Sequence, residues 1–156
     1  MRKTFSIAGA ALALALSASP ALADRTDKAL DRMMAGESFL QGKEMEKAIL
    51  KAEEHPLGSA QNPVRTTMPQ GQRLYLSRLR CSDGKAPTFY RQGNVGAGPF
   101  GNIVDLYKVS CGEAEPLESD VYMDMYHGGF IESRIVPGFT DGAPKAEAVP
   151  VKDPTS

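Results

Sequence analysis

The sequence has little excess charge and, after its first residues, no long hydrophobic run. Its 156 residues carry 18 basic and 19 acidic side chains, a formal net charge of −1. Nucleic-acid binding usually requires a strongly basic face, so this balance argues against nucleic acid as a partner. After residue 23 no stretch approaches the roughly 20 apolar residues of a membrane-spanning helix. We therefore expect no membrane span in the mature chain.

The first 23 residues have the three parts of an export signal. Arg2 and Lys3 give a cationic start, and an apolar run of about twelve residues follows. Ala21-Leu22-Ala23 then offers the small residues that a signal peptidase recognises. We expect cleavage between Ala23 and Asp24 and a periplasmic or secreted product. The remaining chain is long enough for one domain.

Cysteine is scarce, and both copies, Cys81 and Cys111, fall in the mature part. An even number of cysteines in an exported chain predicts a disulfide, and two cysteines allow one intramolecular pairing. A redox or metal-binding thiol pair is the alternative. It is disfavoured because the sequence has no Cys-x-x-Cys and neither cysteine has His or Lys beside it.

Composition predicts an α+β fold: an N-terminal helical segment, then a small, mainly antiparallel sheet of about four strands with one disulfide. The helical segment is 24–55, and its stronger half, Lys43 to Glu54, carries an apolar stripe at Met45, Ala48, Ile49 and Ala52. Prolines and glycines then separate short branched and aromatic runs, which indicates a β-rich core at 56–139. Residues 140–156 contain three prolines among charges and predict a disordered tail.

Alternation of side chains places the strands of the core. We predict strands at Arg73–Cys81, Thr88–Arg91, Ile103–Cys111 and Val121–His127, then a hairpin turn at Gly128-Gly129 into a strand at Phe130–Ile135. A short helix from Gln72 to Arg80 is the alternative to the first strand. The glycine-rich stretch Gly93–Gly101 predicts a long loop, and such a loop can form the rim of a binding site.

Several motifs of the core resemble a family of small exported bacterial proteins without an assigned function. They are His55-Pro56-Leu57-Gly58-Ser59, Asn62-Pro63-Val64-Arg65, Tyr75-Leu76-Ser77-Arg78-Leu79-Arg80-Cys81, the stretch Gly93–Gly101, and Met123-Asp124-Met125-Tyr126-His127. The resemblance covers about Pro56 to Phe139. It implies a disulfide-containing domain and does not imply an activity.

One set of residues resembles a soft-metal site. Met123, Met125 and His127 are spaced by two, so they share one face of a strand, and thioethers with imidazole suit Cu(I). A buried core stripe explains the same spacing, and we favour it. Zinc at Asp120, Asp124, His127 and Glu132 is a weaker alternative, because Asp124 faces away from His127 on a straight strand.

Catalytic motifs are missing from the sequence. Gly96–Gly101 has the letters of G-x-G-x-x-G, but no helix is predicted to follow it, and neither G-x-S-x-G nor S-x-x-K occurs. A hydrolase using His127, with Ser77 or Ser110 as nucleophile, is therefore a third hypothesis. The leading interpretation is a non-catalytic, monomeric binding or interaction module of the cell envelope without a cofactor. Its partner would be an envelope protein or an anionic ligand at Arg78, Arg80, Asn94 and Phe100.

Overall fold

A computed structural model describes residues 30–142 of the chain. The predicted export signal and positions 143–156 of the predicted tail lie outside this range. Residues 30–34 are helical. The named elements follow in the order α1 (Gly42–Ala52), β1 (Val64–Arg65), α2 (Met68–Arg78), β2 (Leu79–Arg80), β3 (Thr88–Ala97), β4 (Ile103–Ser110), β5 (Glu118–Asp124) and β6 (Thr140–Asp141).

The main sheet has four strands in the order β1-β5-β4-β3. Strands β3, β4 and β5 are antiparallel neighbours, whereas β1 pairs with β5 in parallel, with Val64 opposite Met123 and Arg65 opposite Asp124. In the described part of the chain, a second sheet pairs β2 with β6. The predicted α+β class, with its small and mainly antiparallel sheet, is confirmed.

Helix α2 covers one face of the main sheet and forms the core with it. Its segment contributes Gln72, Tyr75, Leu76 and Leu79 to the buried interior, at the spacing i, i+3, i+4 and i+7 of one helical face. These side chains meet the inward-facing residues of the sheet, including Val64, Tyr107, Val109, Val121 and Met123.

The predicted strand at Arg73–Cys81 is therefore wrong, and the helical alternative is correct. Pro69 lies in the first turn of α2, where its missing N–H costs nothing. The helical stripe is hard to recognise because one member, Gln72, is polar, while the exposed face includes Leu74. Only Leu79–Arg80 of that segment is extended, as β2.

Strand β3 is longer than predicted, and it absorbs much of the predicted glycine-rich loop. Gly93 pairs with Leu106 and Ala97 with Ile103, and the register shifts between Arg91 and Gly93 and again between Asn94 and Ala97. Bulges of this kind accommodate glycine in a strand, and the connection to β4 shrinks to residues 98–102. β3 is also the edge of the sheet, and most of its residues are exposed.

Strand β5 ends at Asp124, three residues before the predicted end. The Asp124 carboxylate accepts a hydrogen bond from the Tyr126 backbone N–H, a local contact that turns the chain out of the strand. The predicted strand at Phe130–Ile135 is wrong. Backbone carbonyls in this segment are instead bound by side chains of α2, because Arg78 donates to Glu132 and Tyr75 donates to Arg134.

The predicted disulfide is confirmed. Cys81 and Cys111 are bonded, with their Cα atoms 5.8 Å apart. The bridge joins the chain after β2 to the end of β4. Thr140 and Asp141, the first residues of the predicted tail, pair with β2 as strand β6. Within residues 30–142, no helix combines the length and apolar character needed to cross a membrane.

Candidate functional site

A buried polar cluster lies where β5 ends. Asp124 is fully buried, and its Oδ2 accepts a hydrogen bond of 2.9 Å from Asn102 Nδ2. The same Asn102 amide group is 2.9 Å from Ser38 Oγ, and Asn102 Oδ1 accepts from the Phe39 N–H at 2.7 Å. This cluster fastens the segment before α1 to the end of the sheet.

His127 lies against the cluster but is incompletely bonded. Its Nε2 is 3.1 Å from Asp124 Oδ2, a distance suitable for a charge contact. No hydrogen bond forms at this contact, and the buried nitrogen has no hydrogen-bond partner among the described residues. Phe100 packs edge-on to the imidazole ring, with 5.1 Å between ring centres. The expectation that Asp124 faces away from His127 is wrong, because the strand ends before His127.

Arg65 is the second incompletely bonded group at this end of the sheet. It lies on β1 opposite Asp124, and its guanidinium stacks 4.3 Å from the centre of the Phe130 ring. The Phe100 ring also lies near the guanidinium, with its centre 5.8 Å from Arg65 Cζ. Within residues 30–142, Arg65 forms no side-chain hydrogen bond and no ion pair. Burial lowers the pKa of Arg65, and attraction by Glu132 only partly opposes this effect.

Three other arginines of the fold, unlike Arg65, have a carboxylate partner. Arg78, Arg91 and Arg134 each bond to a carboxylate, and each of these hydrogen bonds raises the pKa of its guanidinium. Two carboxylates that attract the Arg65 guanidinium already have partners of their own. Asp124 is held by Asn102, and Glu132 by Arg134 at 2.9 Å.

Arg65 and His127 both line a cavity of about 340 Å³ between the sheet end and the segment preceding α1. Its wall is part apolar and part polar. Its lining includes Glu37, Leu40, Met45, Arg65, His127 and Phe130. A guanidinium with five N–H donors and no protein acceptor can bind a carboxylate or phosphate through two parallel hydrogen bonds. We refer to this space as the Arg65 cavity.

The four residues predicted to face a ligand do not converge. Arg78 bonds to Asp141 and to backbone carbonyls, and Arg80 donates to the carbonyls of Ser77 and Leu79. Asn94 is exposed on β3, whereas Phe100 is only 1% exposed and packs on His127. Phe100 therefore supports the Arg65 cavity from behind.

The three residues of the copper hypothesis lie in different surroundings. Met123 is fully buried in the core under α2, as the core interpretation of the stripe expects. Met125 lines a separate groove with Gln72 and Asp105, and His127 lines the Arg65 cavity. Among residues 30–142 no group of three or more His, Cys, Asp or Glu side chains is arranged to hold a metal ion.

The serines named as nucleophiles do not bond to His127. Ser77 donates to the Leu74 carbonyl, and Ser110 donates to the Leu117 carbonyl. The sequence analysis missed Ser38 and Asn102, which belong to the Asp124 cluster and bond to each other across 64 residues of sequence. No local signal marks them, because neither belongs to a recognisable motif.

The chain matches no protein-family model, no curated protein and no solved structure. Function must therefore be argued from the chemistry of the site itself.

Proposed function

We propose that the protein is an exported, non-catalytic binding protein that holds a small monocarboxylate in the Arg65 cavity. The observation that carries this proposal is the partly buried Arg65 guanidinium, which has neither a hydrogen-bond acceptor nor an ion-pair partner in the described part of the chain. The disulfide and the signal-like N-terminus support the exported location.

A partly buried charge without a counter-charge is costly, and proteins usually neutralise such a charge with a partner. Asp124 and Glu132 are already hydrogen-bonded to Asn102 and Arg134, and Glu37, which also lines the cavity, forms no ion pair with Arg65. Stacking on Phe130 offsets part of the lost hydration, typically by about 0.5–2 kcal/mol, but leaves the N–H donors without acceptors. An anionic ligand would supply both the charge and the acceptors.

The wall of the cavity favours one negative charge over two. Glu37 lines the same cavity, and the Asp124 carboxylate contributes to the electrostatic environment of Arg65. Both would repel a dianion such as phosphate more strongly than a carboxylate. A planar carboxylate also matches the fork of a guanidinium.

The rest of the ligand should be short and apolar. Leu40, Met45 and Phe130 provide the apolar wall, and the volume of about 340 Å³ lies at the lower end of the range for small-molecule sites. His127 adds a polar side chain to the lining of the cavity, and its buried Nε2 faces Asp124.

Titration followed by NMR tests the proposal. The isotope-labelled full chain would be titrated with straight-chain monocarboxylates from acetate to octanoate, and with inorganic phosphate as a dianionic comparison. We expect at least one monocarboxylate to give saturable shifts at the amides of His127, Gly128 and Phe130, and phosphate to bind more weakly.

Three variants separate the guanidinium fork from simple charge. Arg65→Met and Arg65→Lys should each weaken binding at least tenfold, because Met removes the charge and Lys removes the paired donors. Arg73→Met is the matched control on an exposed arginine and should leave the affinity unchanged. The proposal is wrong if no monocarboxylate saturates these amides, or if Arg65→Met binds as well as the original chain.

A further inference from the structure

A second concave surface lies between helix α2 and the edge strand β3. This space of about 500 Å³ shares no lining residue with the Arg65 cavity. Its lining includes Gln72, Arg73, Tyr90, Arg91, Asp105 and Tyr107. We refer to it as the α2–β3 groove.

The floor of the groove is a buried and internally bonded polar network. Asp105 accepts hydrogen bonds from Gln72 Nε2 at 3.1 Å and from Arg91 Nη2 at 2.6 Å. The Tyr107 hydroxyl donates a hydrogen bond of 3.0 Å to Gln72 Oε1. Asp105, Gln72 and Tyr107 are all at most 5% exposed. A network satisfied in this way gives the groove a rigid floor.

The mouth of the groove is positively charged. Arg91 uses one nitrogen on Asp105, and about half of its side chain remains exposed. Arg73 is exposed and forms no ion pair within residues 30–142. Two guanidinium groups thus face a single carboxylate, which leaves a net charge of about +1 and unused donors.

The outer edge of β3 supplies a second kind of binding group. β3 is the last strand of the sheet and pairs only with β4 in the described part of the chain. Backbone N–H and C=O groups on the open side of an edge strand can pair with an added strand. Tyr90 is 64% exposed on this strand, so an aromatic surface lies beside the open backbone.

We infer that the α2–β3 groove binds an acidic segment of another protein in extended conformation, as a strand added to β3. Alternate side chains of such a segment would point toward α2, so acidic residues spaced by two would face Arg73 and Arg91. The charge of the groove selects an acidic partner. The open strand edge favours an extended peptide over a compact small molecule.

Selection from a random heptapeptide phage library tests this inference on the full chain with its disulfide intact. We expect enriched peptides to carry acidic residues at alternate positions. A synthetic copy of the most enriched peptide should bind in isothermal titration, and its affinity should fall as salt is raised.

Variants and backbone chemistry then separate strand addition from simple charge attraction. Arg73→Glu should lower the affinity for the peptide at least tenfold. The same charge reversal at the exposed Lys47 of α1 should leave the affinity unchanged. In an added strand, every second backbone amide of the peptide points toward β3. N-methylation of those amides should abolish binding, because it removes the hydrogen-bond donors, whereas N-methylation of the other amides should not. Arg65→Met should leave the peptide affinity unchanged, which keeps this test independent of the Arg65 cavity.

Three results would overturn the inference. The first is a library that yields no enriched peptide, and the second is enrichment of peptides without acidic residues. The third is an enriched peptide that keeps its affinity in both N-methylated registers, which would show binding by charge alone.

Discussion

Gly58 should tolerate no side chain, and its substitution measures how tightly the turn before β1 is packed. Gly58 is buried with φ +86°, and an added Cβ would lie 2.6 Å from Val136 Cγ1. Its N–H donates to the Asn62 carbonyl and its carbonyl accepts from Tyr122 of β5, each at 2.8 Å. The backbone is therefore held at both sides, and it cannot move away from Val136 without losing one of these bonds.

Two costs add for Gly58→Ala. A residue with a Cβ in the left-handed backbone conformation destabilises the protein by about 1–2 kcal/mol. Overpacking a filled site destabilises it by a further amount of about 1–3 kcal/mol. A gain of about 0.4–1 kcal/mol from the stiffer unfolded chain offsets part of this. We expect the free energy of unfolding in urea to fall by about 2–4 kcal/mol.

Gly84→Ala is the matched control for backbone strain. Gly84 has φ +79°, and no atom of residues 30–142 lies within 4 Å of the position of its added Cβ. It should show only the conformational cost, and introducing Val136→Ala should bring the cost of Gly58→Ala down toward that of Gly84→Ala. The reasoning is refuted if Gly58→Ala destabilises the protein no more than Gly84→Ala does.

Three further predictions concern the bridge, acid stability and export. Replacing Cys81 and Cys111 together by Ser should lower the free energy of unfolding by about 2–4 kcal/mol, because the bridge closes a loop of about 30 residues; an unchanged urea midpoint would contradict this. Burial alone would raise the pKa of Glu132, but hydrogen bonds from Arg134 outweigh it and hold that pKa below its usual value. The resulting stabilisation is complete above the unfolded pKa of about 4.3 and is lost as pH falls through the folded pKa. The free energy of unfolding, measured from pH 6 to pH 2, should therefore fall less steeply for Glu132→Gln than for the original chain. An identical pH dependence in the two proteins would count against the pairing. Mass spectrometry of the periplasmic fraction should find a chain that begins at Asp24, and an intact N-terminus would contradict the predicted export.

Helix α2 shows why part of the fold could not be read from the local pattern. Its segment alternates well enough to suggest a strand, and its helical stripe includes the polar Gln72. Gln72 is buried because Asp105 and Tyr107 of β4 satisfy both ends of its amide. Those partners lie more than 30 residues away, so no window of local sequence contains the reason for the helix orientation.

Features governed by local periodicity or by simple counting followed from the sequence by itself. The stripe at Met45, Ala48, Ile49 and Ala52 predicted α1, the alternation over residues 103–111 predicted β4, and two cysteines allowed one bridge. These depend on neighbours along the chain or on the number of one residue type.

The candidate site could not be predicted from the sequence, because it depends on which strands and loops lie next to each other. Arg65 is one of many arginines in the sequence, and nothing near it in the chain marks it as unpaired. Parallel pairing of β1 with β5 places it opposite Asp124, while Asn102 takes one oxygen of that carboxylate. Whether a buried charge keeps a partner is decided by contacts between distant segments. Only the tertiary structure could therefore separate Arg65 from the other arginines.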